Sequence, residues 1–172
     1  MTTPLNNIPD NGGIIGPDNG TSTGVKVTTF TESGDFTQSP TNSPAEIDYL
    51  VVAGGGGGAP GRGGGGGAGG YRTSFPGGTK ITGVPYSPTP VVVGAGGNAT
   101  SNGSDSSILS ITSTGGGKGG VFQAGGTSGG SGGGGGTNDF GGPNSGGAGT
   151  PGQGNAGGAS VTIVTAGGCG GS

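Results

Sequence analysis

The chain contains no histidine, no tryptophan and a single cysteine, Cys169. Without histidine there is no His-based catalytic triad, no imidazole general base and no imidazole metal ligand. One cysteine excludes an intrachain disulfide framework. Charge is equally scarce: 8% of residues are charged, and the net charge is −3. A mildly acidic balance argues against a nucleic-acid partner. No apolar run approaches the roughly 20 residues that a membrane-spanning helix needs, so no membrane insertion is expected. Nor does the N-terminus read as a charged-then-apolar signal peptide. Large aliphatic and Phe side chains are thin as well. Leu, Ile, Val and Phe together make 27 of 172 residues, below the roughly 20% at which an ordinary apolar core is expected.

What the chain has is glycine, 53 residues of 172. The stretch that organises it is Ala53 to Gly70, AGGGGGAPGRGGGGGAGG. Two runs of five glycines, 54–58 and 63–67, are separated by Ala59-Pro60-Gly61-Arg62. Such runs form either a flexible linker or extended left-handed helices of the polyproline II type, with three residues per turn and no internal hydrogen bonds. Side by side, helices of that kind can bond N–H to C=O across the gap, because no Cβ holds the backbones apart. The second reading is the one adopted: a glycine scaffold that presents loops. Glycine content near that of collagen, without a strict G-X-Y period, excludes a collagen triple helix. Ordering the backbone costs on the order of 1–2 kcal/mol per residue, and glycine is the worst case. Dense backbone hydrogen bonding has to offset that, and assembly is expected to help, as a homotrimer or, alternatively, as a domain tethered on a larger assembly.

Taken in order, residues 1–24 read as a polar, turn-rich arm punctuated by Pro4, Pro9 and Pro17. It is either a disordered terminus or an attachment arm that orders against a neighbour, with Leu5, Ile8, Ile14 and Ile15 as its anchors. Residues 25–172 form the second unit, a glycine-rich β/polyglycine domain. Val25, Val27 and Thr29 alternate with Lys26, Thr28 and Phe30 as in a half-buried strand. Ser33-Gly34-Asp35 reads as a turn, and the pattern resumes at Phe36-Thr37. A second strand spans 47–52. Further strand-like islands stand at 71–75, 80–84, 90–93, 107–112 and 161–164, which a plain Gly/Ser linker would not carry. They predict a small sheet with glycine segments layered on it. In the low-complexity region 115–158, the groups at 121–123, 137–140 and 143–145 read as turns between glycine runs. No α-helix is expected, since glycine costs about 1 kcal/mol per helical position and no window has apolar spacing at i, i+3 and i+4. The fold class is therefore mostly β and irregular: a small sheet or sandwich with packed polyglycine II segments.

Catalytic signals are weak. G-x-G-x-x-G recurs by composition alone and has no following helix. Gly117-Lys118-Gly119 lacks the Ser or Thr that a phosphate loop requires. Asp10, Asp18 and Asp35 lie near glycines but lack calcium-loop spacing, and Asx turns explain them. Asn98-Ala99-Thr100 and Asn102-Gly103-Ser104 match glycosylation acceptors, and turn composition explains these too. No enzyme, cofactor or metal is expected. The aromatics carry more information. Phe122 and Phe140 lie between glycine runs, where a ring gives large contact area at low entropy cost. With Gln123, Asn138 and Asp139 they form the expected receptor-binding set.

In order along the chain come VKVTTFTESGDF, EIDYLVVAGGGGGAPGRGGGGGAGGYR, VVVGAGG and GSDSSILSITSTGGGKGG. This succession resembles the glycine-rich domain common in bacteriophage tail-fibre and adhesin proteins. The resemblance covers residues 25–120, and the remainder is compatible. It departs at the end, where a closing strand has only 161–164 as its candidate. The resemblance implies stacked polyglycine helices with receptor specificity on the loops between them. The implied role is a virion structural protein on the particle surface, either the tip or adhesin of a fibre or a capsid decoration, cement or head-fibre protein with a purely assembly role. Its partners would be other virion proteins and a host surface protein or glycan. An ice-binding or silk-like protein would want a regular three-residue repeat with small side chains in fixed phase, which is missing.

Overall fold

The computed structural model describes residues 27–37, 46–139, 141–161 and 167–172. Six short strands make two antiparallel sheets, and no helix occurs among the described residues. β1 (Gly34–Phe36), β4 (Thr89–Val92), β5 (Ser106–Ile108) and β6 (Ile111–Ser113) form one sheet in the order β1-β4-β5-β6. β2 (Leu50–Val52) pairs with β3 (Tyr71–Thr73), and this pair packs against β5 and β6. The Ser113 hydroxyl donates to the Val51 carbonyl at 2.7 Å and ties the two sheets together. Burial is scant: among the described apolar side chains only Ala53, Val84 and Val91 are buried. The sandwich cannot be the main source of order.

The order comes from the glycine segments. Ten extended stretches alternate with the strands and turns: p1 (53–58), p2 (63–70), p3 (94–97), p4 (101–104), p5 (114–120), p6 (124–128), p7 (129–137), p8 (144–149), p9 (154–158) and p10 (167–171). Their hydrogen bonds repeat every third residue. The amides of Ala53, Gly56 and Ala59 donate to the carbonyls of Gly70, Gly67 and Gly64 in p2. Those of Gly54 and Gly57 donate to Ser104 and Ser101 in p4. A three-residue repeat with all bonds between segments is the signature of polyglycine II, since a threefold helix turns each successive amide by a third of a turn. Burial follows the same period in p2, where Gly64, Gly67 and Gly70 are buried.

The bonding pattern places the ten segments in three rows. The first is p3-p1-p2-p10, the second p4-p5-p7-p9 and the third p6-p8. Rows are offset, so the packing is hexagonal and p7 sits at its centre. In p7 the amides of Ser131 and Gly134 donate to p2, those of Gly132 and Gly135 to p9, and those of Gly133 and Gly136 to p6. The Ser131 and Gly134 carbonyls accept from p5, Gly132 and Gly135 from p10, and Gly133 from p8. Six neighbours satisfy one helix, and residues 129–137 are buried throughout. Glycine is required here for space. A Cβ built on Gly132, Gly133 or Gly134 would meet the backbone carbonyl of Gly147, Lys118 or Gly168, each closer than 3.0 Å. Backbone amides replace side-chain packing as the core, satisfying the groups that burial would otherwise leave unpaired.

Strands and segments run end to end. β2 continues into p1, p2 into β3, β4 into p3, p4 into β5, and β6 into p5. All the strands therefore lie at one end of the bundle. The turns 59–62, 98–100 and 121–123 lie at the other, with residues 138–139 and 141–143. At the sheet end, the turn around Gly152 is stitched down by Gln153, whose carbonyl accepts from the Tyr71 amide and whose side-chain oxygen accepts from the Thr114 amide.

The lack of helix among the described residues and the packed polyglycine are as the sequence implies; several details differ. Glycine segments extend the strands and are not layered on the sheet, because each strand already runs toward a Cβ-free continuation. The island 107–112 is a hairpin, with Leu109-Ser110 as the turn between β5 and β6. Gly34 and Asp35 belong to β1, and the chain bends at Thr31-Glu32 instead. Residues 27–30 form no named strand, and 80–84 contributes only the Ile47–Ile81 bridge. Pro143 closes a longer turn, while Asn144 and Ser145 already bond within p8. The arm 1–24 with Leu5, Ile8, Ile14 and Ile15 lies outside the described residues, as does Phe140. Of the 161–164 island only Val161 is described, and it is in no strand.

The β5–β6 turn holds Leu109 at φ 51°, in the left-handed region that a branched side chain rarely adopts. The left-handed conformation costs an L-residue roughly 1–2 kcal/mol. Leu109 is exposed, so its side chain offsets little of that. Leu109→Asn is expected to stabilise the protein by about 1 kcal/mol, visible as a rise of several degrees in Tm.

Candidate functional site

Four of the expected receptor-binding residues meet at the loop end, and the structure adds a fifth, Arg62. Its guanidinium stands over the Phe122 ring, 4.4 Å from the centroid. The same group holds the Asp139 carboxylate with both terminal nitrogens, at 2.8 and 2.7 Å. Three connections thus share one side chain: the turns 59–62 and 121–123, and residues 138–139 after p7. A fork-on-carboxylate pair fixes orientation as well as distance.

The backbone reinforces the junction. Thr137, the last residue of p7, donates both its amide and its hydroxyl to the Arg62 carbonyl. Its own carbonyl accepts from the Gln123 amide at 2.8 Å. Gln123 sits at φ 66°, a conformation held by this bond and by the tight return of the chain into p6. Backbone strain of this kind gathers at sites where geometry is fixed for use. Asn138 closes its own turn by donating to the Gly142 carbonyl at 3.1 Å. Val121 and Phe122 stay 47% and 40% exposed beside these polar groups.

Chemically the cluster is a shallow platform: one aromatic ring, one valine, two amides and an ion pair that cancels its own charge. Among its described residues there is no nucleophile with a base beside it. No group of three or more potential metal ligands occurs among the described residues. An open cavity of about 270 Å³ lies at the opposite end, between Tyr71, the 152–155 turn and Ser172. It touches none of these side chains. Reading the residues in order missed Arg62, although the signal was present: the break between two five-glycine runs is a turn by the same rule that singled out 121–123.

A family model described as a glycine-rich domain matches residues 30–172. The chain belongs to that family. The match takes in both sheets, all ten polyglycine segments and every turn of the loop end. Comparison with curated proteins and with solved structures gives no match. The glycine-rich domain is thus identified as a family, and its role has to be argued from the surface it presents.

Proposed function

We propose that this glycine-rich domain is a bacteriophage virion structural protein, exposed on the particle as a fibre or fibre-tip adhesin, whose loop end binds a receptor on the host cell. The observation that carries the reading is the separation of ends. Sheets occupy one end, and Arg62, Phe122, Gln123, Asn138 and Asp139 gather at the other on a mount with almost no side chains of its own. A rigid mount lowers the entropy that a binding loop loses on contact. Copies associate as a homotrimer and join other virion proteins through the sheet end.

A second reading, a decoration, cement or head-fibre protein with a purely assembly role, has one observation in its favour. Leu50 and Val52 share a face of β2, Tyr71 lies opposite Val52, and all three are exposed. An exposed apolar strip of this kind is a mark of contact with another chain. Competition separates the two readings. Excess purified protein is expected to block adsorption of the particles that carry it. Unimpeded adsorption, with particles that fall apart when the protein is stripped, would favour assembly.

A further inference from the structure

Resting on the receptor-binding reading, we infer that the loop end recognises an uncharged polysaccharide chain of the cell surface. Three features of the cluster point there. The first is charge. Arg62 is the cation of the described turn residues at this end, and its fork is closed on Asp139, so an anionic ligand meets no open positive group on those turns. The second is the kind of side chain. A half-exposed aromatic ring has a negatively polarised face that attracts the C–H bonds of a sugar ring. Gln123, next to it in the chain and exposed, brings a planar amide that both donates and accepts, as hydroxyl pairs on a pyranose require.

The third is area. Hydrogen-bonded backbones lie about 5 Å apart. Three rows of at most four segments then give an end face of roughly 20 by 15 Å, or about 300 Å². A standard protein–protein interface takes about 800 Å² from each partner. As a flat cross-section of the described segments, the face is narrower than that and spans two or three sugar units. The described turns 59–62, 98–100 and 121–123 are short, which suits a polymer passing over the surface.

The test uses the intact protein and cell envelopes from a panel of bacteria, treated with periodate or with protease, together with an array of purified neutral and acidic bacterial polysaccharides. Expected is binding that survives protease, is lost on periodate oxidation, and picks neutral polysaccharides on the array. Raising the salt from physiological to several times that strength should change it by less than twofold, since no ion pair with the ligand forms. Phe122→Ala should weaken it at least tenfold, and Phe122→Leu, which keeps the apolar bulk without the ring, nearly as much. Binding abolished by protease and kept after periodate would overturn the polysaccharide and leave the receptor reading standing. Preference for acidic polysaccharides, or a folded Phe122→Leu protein that binds as before, would also overturn it. No binding to any untreated envelope would overturn both.

Discussion

Gly133→Ala is expected to cost the fold about 3 kcal/mol or more, while Gly96→Ala costs it nothing. The two substitutions add the same methyl group and differ only in where it points. At Gly133 the new carbon would stand within 3.0 Å of three backbone atoms of p5, contributed by Lys118 and Gly117. None of these is a flexible side chain that can swing away. Making room means moving p5, which is bonded to p1, p2, p4, p6 and p7. Overpacking an ordinary core costs about 1–3 kcal/mol. Here the clash is with backbone on a fully enclosed helix, so about 3 kcal/mol or more is expected, a large share of a typical 5–15 kcal/mol total.

At Gly96, on the outer row, the nearest atom to the new carbon is the Gly55 carbonyl oxygen at 3.7 Å, an ordinary contact. Gly58 is equally permissive, with the Gly64 carbonyl at 3.7 Å. At such positions alanine restricts the unfolded chain and is expected to add about 0.4–1 kcal/mol. Thermal denaturation of the three variants checks this. Equal losses at all three sites would mean that hexagonal backbone contact is not what holds the fold.

Removing Arg62 should damage binding far more than stability. An exposed ion pair contributes about 0–1 kcal/mol, and a cation over a ring at an exposed site about 0.5–1 kcal/mol. Arg62→Ala is therefore expected to lower Tm by only a few degrees. The same change frees three turns that meet through one guanidinium. Each side chain that must then be ordered on contact costs about 0.5–1.5 kcal/mol. With two or three such residues, about 1.0–4.5 kcal/mol in all, adsorption should fall roughly fivefold to two-thousandfold, since about 1.4 kcal/mol is a factor of ten. Asp139→Asn, which keeps the shape and removes the charge, should give a smaller loss in the same direction. Adsorption kinetics and denaturation on the same preparations separate the two effects. A variant that folds and adsorbs normally would remove the cluster from the binding surface.

How much of this was legible in the residues depended on whether a side chain carried the information. Five-glycine runs announced the scaffold because nothing else in the chain could order it. Breaks in those runs announced turns, and 121–123 and 138–139 fell where expected. The row arrangement was illegible. In p7, Gly132, Gly133 and Gly134 bond to different neighbours, yet they are the same letter, so the threefold phase leaves no mark. Nor could the pairing of Arg62 with Asp139 be read. They are 77 positions apart, and only the antiparallel return of p1 into p2 and the upward run of p7 bring them to one end. Leu109 was missed for the opposite reason: an apolar side chain in an apolar island reads as strand, and the turn there runs against residue preference.

The central measurement is amide hydrogen exchange at Gly132–Gly136. If p7 is a buried helix satisfied by six neighbours, these amides should exchange only through global opening, as slowly as the best-protected amides of β4 and β5. Exchange at the rate of an unstructured glycine peptide, in protein that is otherwise folded, would contradict it.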